Sequence, residues 1–98
     1  MPKGWPQWPK AFAKPVAFHD CSGPVTLALS THLAIACPNV VEQEITRAFY
    51  YGWYHNYVDQ LPPLESGFIR PPEGPGLGLA LAADLPTRPD AVVRTTEA

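Results

Sequence analysis

Charge is scarce in this sequence. Seven Lys and Arg against nine Asp and Glu make up 16% of the 98 residues and leave a net charge of −2. No basic surface is available to neutralise a phosphate backbone, so a nucleic-acid partner is not expected. Long apolar runs are missing too. No stretch approaches the ~18 uninterrupted apolar residues of a membrane-crossing helix, so no membrane partner is expected either. Cysteine is limited to Cys21 and Cys37. The opening Met1-Pro2-Lys3-Gly4-Trp5-Pro6 has none of the apolar character of a secretory leader. The expected compartment is therefore cytoplasmic, with both thiols reduced rather than paired.

What is present gathers in the middle. Hydrophobic residues make up 46% of the chain, while the thirteen prolines and seven glycines crowd towards its two ends. Residues 1–14, with Pro2, Pro6, Pro9, Trp5 and Trp8, read as an irregular arm, because proline removes helix N–H donors. A polyproline-type ligand for an aromatic groove is the sharper alternative there. Residues 83–98, with Pro86 and Pro89, read as a flexible tail. The folded body is expected over residues 15–82.

Within it the order is β-α-β-α. Pro15 to Phe18 is an apolar run suited to a strand buried on both faces. His19-Asp20-Cys21-Ser22-Gly23-Pro24 is a tight turn, with Ser22 placed to cap the next helix and Pro24 suited to its first position. Val25 to Cys37 has helical length, and Val25, Leu29, Leu33 and Ala36 fall at i, i+4, i+8 and i+11, one apolar stripe. Pro38 ends it. Val40 to Gln43 is a second strand, and helical turns follow from Ile45 to Tyr54. Two strands joined through a helix pair parallel by a right-handed crossover. The aromatics Phe49, Tyr50, Tyr51, Trp53, Tyr54 and Tyr57 are expected to pack against a barrel or a neighbouring domain. They are too irregularly spaced, and too far from basic residues, for a base-stacking platform. Phe68-Ile69 reads as a short strand, and Gly74 to Leu81 as a close-packed return crossing.

Several of these residues could carry chemistry. His19 falls at the carboxyl end of the first strand, where parallel α/β proteins place their sites and where an imidazole can exchange a proton near neutral pH. Its bland alternative is a histidine that hydrogen-bonds within the turn. Asp20 is its neighbour on a strand, so it points to the other face and reads as a turn or capping residue. Glu44 lies just past the second strand, with Glu42 as the rival carboxylate on the same face. A zinc site built from His19, Cys21, His32 and Cys37 lacks the paired ligand spacing such sites use. His32 reads as a packed helix residue.

The pattern is also familiar. His19-Asp20-Cys21-Ser22-Gly23-Pro24-Val25, then Ser30-Thr31-His32-Leu33, Pro38-Asn39, Gln43-Glu44, Arg47-Ala48-Phe49-Tyr50 and Pro72-Glu73-Gly74-Pro75-Gly76-Leu77-Gly78-Leu79 occur in an order and spacing that resemble the C-terminal end of the enolase superfamily. The branch is that of mandelate racemase, muconate lactonizing enzyme and the sugar-acid dehydratases. The likeness covers about residues 13 to 82.

The resemblance implies a C-terminal fragment of a (β/α)₈ barrel: its last two βα units, seventh and eighth, plus a closing C-terminal segment. A whole barrel takes about 250 residues, far more than this chain has. It implies a Mg²⁺-dependent lyase acting on a sugar acid, in which the proton α to the carboxylate is removed and water is lost. Racemisation, the work of an isomerase, or cycloisomerisation is the nearest alternative. By the same resemblance His19 is the general acid/base. Glu44 would help bind the substrate's carboxylate end or steady the enediolate. The family's three Mg²⁺-binding carboxylates, its lysine base, the aspartate that orients the histidine and its N-terminal capping domain match nothing here. The opening residues do not look like the helix that precedes the seventh strand, which implies an altered start with a barrel lost upstream. The lone chain is therefore expected to be inactive. A non-catalytic remnant, acting only by association with another chain or with itself as an oligomer, is the alternative.

Overall fold

The computed structural model describes residues 14–97. The Pro- and Trp-rich arm expected over residues 1–14 therefore lies almost wholly outside the described residues. Strand β1 (Val16–Phe18) pairs parallel with β2 (Val40–Gln43), and helix α1 (Pro24–Ala36) makes the crossover and lies against β2. The register sets Val16 against Val40, Ala17 against Glu42 and Phe18 against Gln43, with an irregularity after Val16. Beyond the strands, Glu44 N–H donates to Phe18 O at 2.8 Å, so the pairing carries on to the residue expected to matter. A short helix α2 (Arg47–Tyr50) and a 3₁₀ turn (Trp53–Asn56) follow.

Two local expectations are corrected. The N-cap of α1 is Gly23, not Ser22, and no side chain caps the helix. The reason is register: Leu27 N–H donates to Gly23 O at 3.0 Å, so Pro24 already occupies the first helical position and Ser22 lies outside. The buried stripe is Pro24, Leu27, Ala28 and Thr31, at i, i+3, i+4 and i+7, while Val25 and Leu29 are exposed. The helix is apolar almost all round, so periodicity alone does not choose its inner face. The aromatic segment chooses it by packing over Leu27. Thr31 tolerates burial because its hydroxyl donates to Leu27 O at 2.8 Å.

The core thus lies between α1 and the chain after α2. Leu27, Tyr50, Tyr54, Val58 and Leu61 form it, with Phe49, Trp53 and Leu79 among the residues packed around. Of the aromatics, Tyr50 and Tyr54 are buried in this core, Phe49, Trp53 and Tyr57 are half-buried around it, and Tyr51 is exposed. Trp53 meets Tyr54 edge-on at 4.7 Å between ring centroids and Tyr57 at 5.5 Å. Tyr50 secures its hydroxyl by donating to Pro62 O at 2.6 Å. The sheet is the thinner part. Ala17 and Val41 are exposed, so the expected burial of the first strand on both faces is not seen among the described residues.

The closing segment begins with the hairpin β3 (Leu64–Glu65) and β4 (Phe68–Ile69). Its two turn residues, Ser66 and Gly67, both have positive φ, as a two-residue turn matched to strand twist requires. The return crossing is tight at Gly78, with φ +81°, where a Cβ would meet Pro72 O. It then bridges Val58 to Leu81 and accepts a hydrogen bond from His32 Nε2 at Leu77 O, 2.9 Å. In the segment expected as a tail, Leu85–Thr87 form a 3₁₀ turn, and Arg88 pairs with Asp84 at 3.0 Å beside the Tyr57 ring.

Candidate active site

β1 and β2 run parallel, so their carboxyl ends open on the same side, and the residues that follow both strands meet there. His19 leaves β1 and Glu44 leaves β2. His19 Nε2 lies 3.8 Å from Glu44 Oε1, and the two side chains are 67% and 55% exposed. The pair is therefore assembled and open to solvent. Of the two rival carboxylates, Glu44 is the one beside His19. Glu42 sits inside β2 opposite Ala17 and lines a separate groove of about 470 Å³ with Val41, Gly67 and Phe68.

Asp20 turns the other way. Just past the end of β1 the chain turns His19 out and Asp20 in, where it is fully buried. Its carboxylate takes the Tyr54 hydroxyl on Oδ1 at 2.8 Å and the Thr46 N–H on Oδ2 at 3.1 Å. The Thr46 hydroxyl donates to Asp20 O. In return, Asp20 N–H donates to Glu44 Oε1 at 3.1 Å. One residue thus ties the exit of β1 to the exit of β2 and to the N-terminus of α2, and it holds Glu44 toward His19. The turn or capping role expected of Asp20 is part of this, since Thr46 is the N-cap of α2. Burial first, and then the Asp20 carboxylate, push the Tyr54 phenol well above the ordinary tyrosine range.

Sequence reading missed Thr46 and Tyr54, which lie 26 and 34 residues from Asp20. No local signal could link them. It also missed that Cys21 Sγ lies 3.2 Å from His19 Nε2. The other members of the zinc alternative are elsewhere. His32 is held by Leu77 O, and Cys37 lies past the far end of α1, about 20 Å of helix away from the turn.

Magnesium asks for near-octahedral oxygen coordination. Among the described residues no three His, Cys, Asp or Glu side chains converge to hold a metal. The Asp20 carboxylate is committed to two hydrogen bonds, one on each oxygen, and Glu44 offers one carboxylate. The described residues do not fit a Mg²⁺ site by themselves. Also among them, no helix is long and apolar enough to cross a membrane.

Comparison with known proteins supplies the frame. Residues 8–85 match the family model described as enolase C-terminal domain-like. The chain is 36% identical over 70 residues to D-xylonate dehydratase of Haloferax volcanii, covering 71% of this chain and 17% of that protein. It is 28% identical over 72 residues to D-gluconate dehydratase of Thermoproteus tenax, covering 74% and 14%. Among solved structures, an enolase of the mandelate racemase subgroup from Agrobacterium tumefaciens superposes with a TM-score of 0.74 at 44% identity, covering 81% of this chain and 21% of that one. An enolase from environmental sequencing of the Sargasso Sea gives 0.80 at 38%, covering 91% and 23%. The chain spans less than a quarter of the length of each of these relatives. The matched family model, the dehydratase relatives and the superposed enolases agree: this chain belongs to the enolase C-terminal domain-like family, on the mandelate racemase and muconate lactonizing enzyme side of the enolase superfamily.

Proposed function

We propose that this chain supplies the seventh and eighth βα units and the closing segment of a (β/α)₈ sugar-acid dehydratase, and that it is inactive alone. The observation that carries the reading is the meeting of His19 and Glu44 at the carboxyl ends of neighbouring parallel strands, 3.8 Å apart and open to solvent. In this reading carboxylates outside the described residues would hold Mg²⁺, which would supply stabilisation of negative charge. This chain's own part is proton movement and positioning. His19 Nε2 carries or receives the proton exchanged with the substrate, and a positioned general acid/base group contributes about 10²–10⁴-fold in rate. Glu44, fixed by the Asp20 N–H, faces that nitrogen and positions the substrate's carboxylate end. Relatives named as D-xylonate and D-gluconate dehydratases support a sugar acid as substrate class.

The test is a graft. Residues 13–82 replace the equivalent end of an active relative, and the chimera is assayed with Mg²⁺ on that relative's sugar acid. Turnover is expected, and Glu44→Gln should lower both substrate binding and turnover. The ungrafted chain should show none. Turnover by the chain alone that disappears in His19→Asn would defeat the fragment reading.

A second reading is a non-catalytic remnant that acts by association with another chain. Val41 and Phe68, 66% and 74% exposed beside the β2 groove, favour it, because a two-stranded sheet with an open edge is a poor independent unit. Size-exclusion chromatography should then give an oligomer or aggregate. A sharp monomer peak with a cooperative thermal transition would contradict it.

A further inference from the structure

The hydrogen bond that fixes Glu44 comes from a backbone, not from a side chain. Asp20 N–H donates to Glu44 Oε1 at 3.1 Å, the one hydrogen bond to that exposed carboxylate among the described residues. The aim of Glu44 therefore depends on whatever fixes the Asp20 peptide. Three bonds do so. Thr46 N–H donates to Asp20 Oδ2 at 3.1 Å, the Thr46 hydroxyl donates to Asp20 O, and the Tyr54 hydroxyl donates to Asp20 Oδ1 at 2.8 Å. Thr46 lies two residues after Glu44, on the same stretch of chain. Tyr54 belongs to the core instead. It is fully buried in the 3₁₀ turn Trp53–Asn56, with its ring centroid 6.0 Å from that of Phe49 and 4.7 Å from that of Trp53. The packed ring sets where its hydroxyl stands, and that hydroxyl ties the Asp20 carboxylate to the core.

We infer that Tyr54 is a positioning residue for the site at the mouth of the strand pair: acting through Asp20, its hydroxyl sets the Glu44 carboxylate beside His19 Nε2. Without that hydroxyl, Asp20 Oδ1 is a fully buried charged oxygen with no donor, which is costly. The carboxylate then turns toward another donor, the Asp20 peptide turns with it, and Glu44 Oε1 loses its bond. The other buried tyrosine supplies the contrast. Tyr50 shares the same core, but its hydroxyl donates to Pro62 O at 2.6 Å and fastens the chain ahead of the closing hairpin, away from Asp20. Tyr54 touches neither His19 nor substrate, so its influence on turnover rests on the dehydratase reading. Its hold on Glu44 does not, and the two can fail separately.

The test compares Tyr54→Phe with Tyr50→Phe, the same loss of one buried hydroxyl from the same core. Both keep the ring, and both are studied well below melting. In the intact chain, hydrogen exchange of the Asp20 amide is followed by NMR. It should be about tenfold faster in Tyr54→Phe than in Tyr50→Phe, because only the first frees the Asp20 peptide. In the grafted barrel, kcat/KM should fall about tenfold in Tyr54→Phe and stay within about twofold of the parent in Tyr50→Phe. In a Glu44→Gln background, Tyr54→Phe should change kcat/KM by no more than about twofold, since it acts through Glu44. A merely structural role predicts similar behaviour from the two tyrosines and a loss that adds to that of Glu44→Gln. A graft without turnover would sink the dehydratase reading, and the exchange comparison alone would then decide the hold on Glu44. Equal Asp20 exchange in the two variants would overturn the inference. So would a Tyr54→Phe graft as active as Tyr50→Phe, or a Tyr54→Phe loss that persists in full with Glu44→Gln.

Discussion

His19 and Asp20 are neighbours in the chain and opposites in the molecule. One stands in solvent with Glu44 and Cys21 around it. The other is fully buried, with its carboxylate engaged by Tyr54 and Thr46. The contrast separates two kinds of work. The outward side of the β1 exit leaves His19 and Glu44 open to solvent, with few packing contacts to lose. The inward side is arranged for position, and it is Asp20 that places Glu44 for its neighbour to use. The placing of Glu44 beside His19 therefore depends on a hydrogen bond from a fully buried residue.

Substitutions should separate the two sides. The largest stability effect is expected at Asp20. Asp20→Ala leaves the Tyr54 hydroxyl and the Thr46 N–H without their partner, at a cost of about 1–3 kcal/mol for each buried group stranded. Thermal melts of the grafted enzyme should show a clear fall, while His19→Asn at the exposed neighbour should change stability by less than about 0.5 kcal/mol. Similar melts for both variants would erase the distinction.

Tyr54→Phe is the next step down, since it removes a single donor to the Asp20 carboxylate, worth about 1–3 kcal/mol. It also sharpens the comparison through pH. Burial raises the Tyr50 and Tyr54 phenols above the ordinary tyrosine value, for Tyr54 with help from Asp20. A raised folded-state pKa stabilises the protonated form, so this contribution is intact below about pH 10 and is lost as pH rises beyond it. Melting temperature against pH should fall above about 10, and Tyr54→Phe should flatten that fall. A parallel curve for the variant would remove Tyr54 from the account.

The smallest effect is expected far from both sides, at the Asp84–Arg88 pair. The Arg88 guanidinium holds the Asp84 carboxyl below the usual range, so its contribution is present above the ordinary carboxylate pKa and fades as pH falls through the lowered value. The Asp84 side of the pair is exposed, so Asp84→Asn should alter melting less than Tyr54→Phe.

How much of this was legible depended on distance along the chain. The β-α-β order, the Val40–Gln43 strand and Pro24 at the first helical position were readable because each is a local preference. The opposite directions of His19 and Asp20 were expected from strand period, but β1 ends at Phe18 and it is Thr46 and Tyr54 that hold Asp20 inward. The inner face of α1 was not readable, because an almost uniformly apolar helix has no preferred side until the aromatics choose one. Nor was the Asp20–Thr46–Tyr54 hub, whose members meet only through the fold. Glu44 was distinguished from Glu42 by where β2 ends, not by composition.

The central claim is that the outward histidine, not the buried aspartate beside it, is the group that moves the proton. It is tested most directly by His19→Asn in the grafted barrel, with turnover, Mg²⁺ binding and melting temperature measured together. The account predicts a loss of about 10²–10⁴-fold in turnover, with Mg²⁺ binding and melting unchanged. A folded, Mg²⁺-binding chimera that dehydrates its sugar acid equally well with or without His19 would contradict it and would leave His19 as a turn residue.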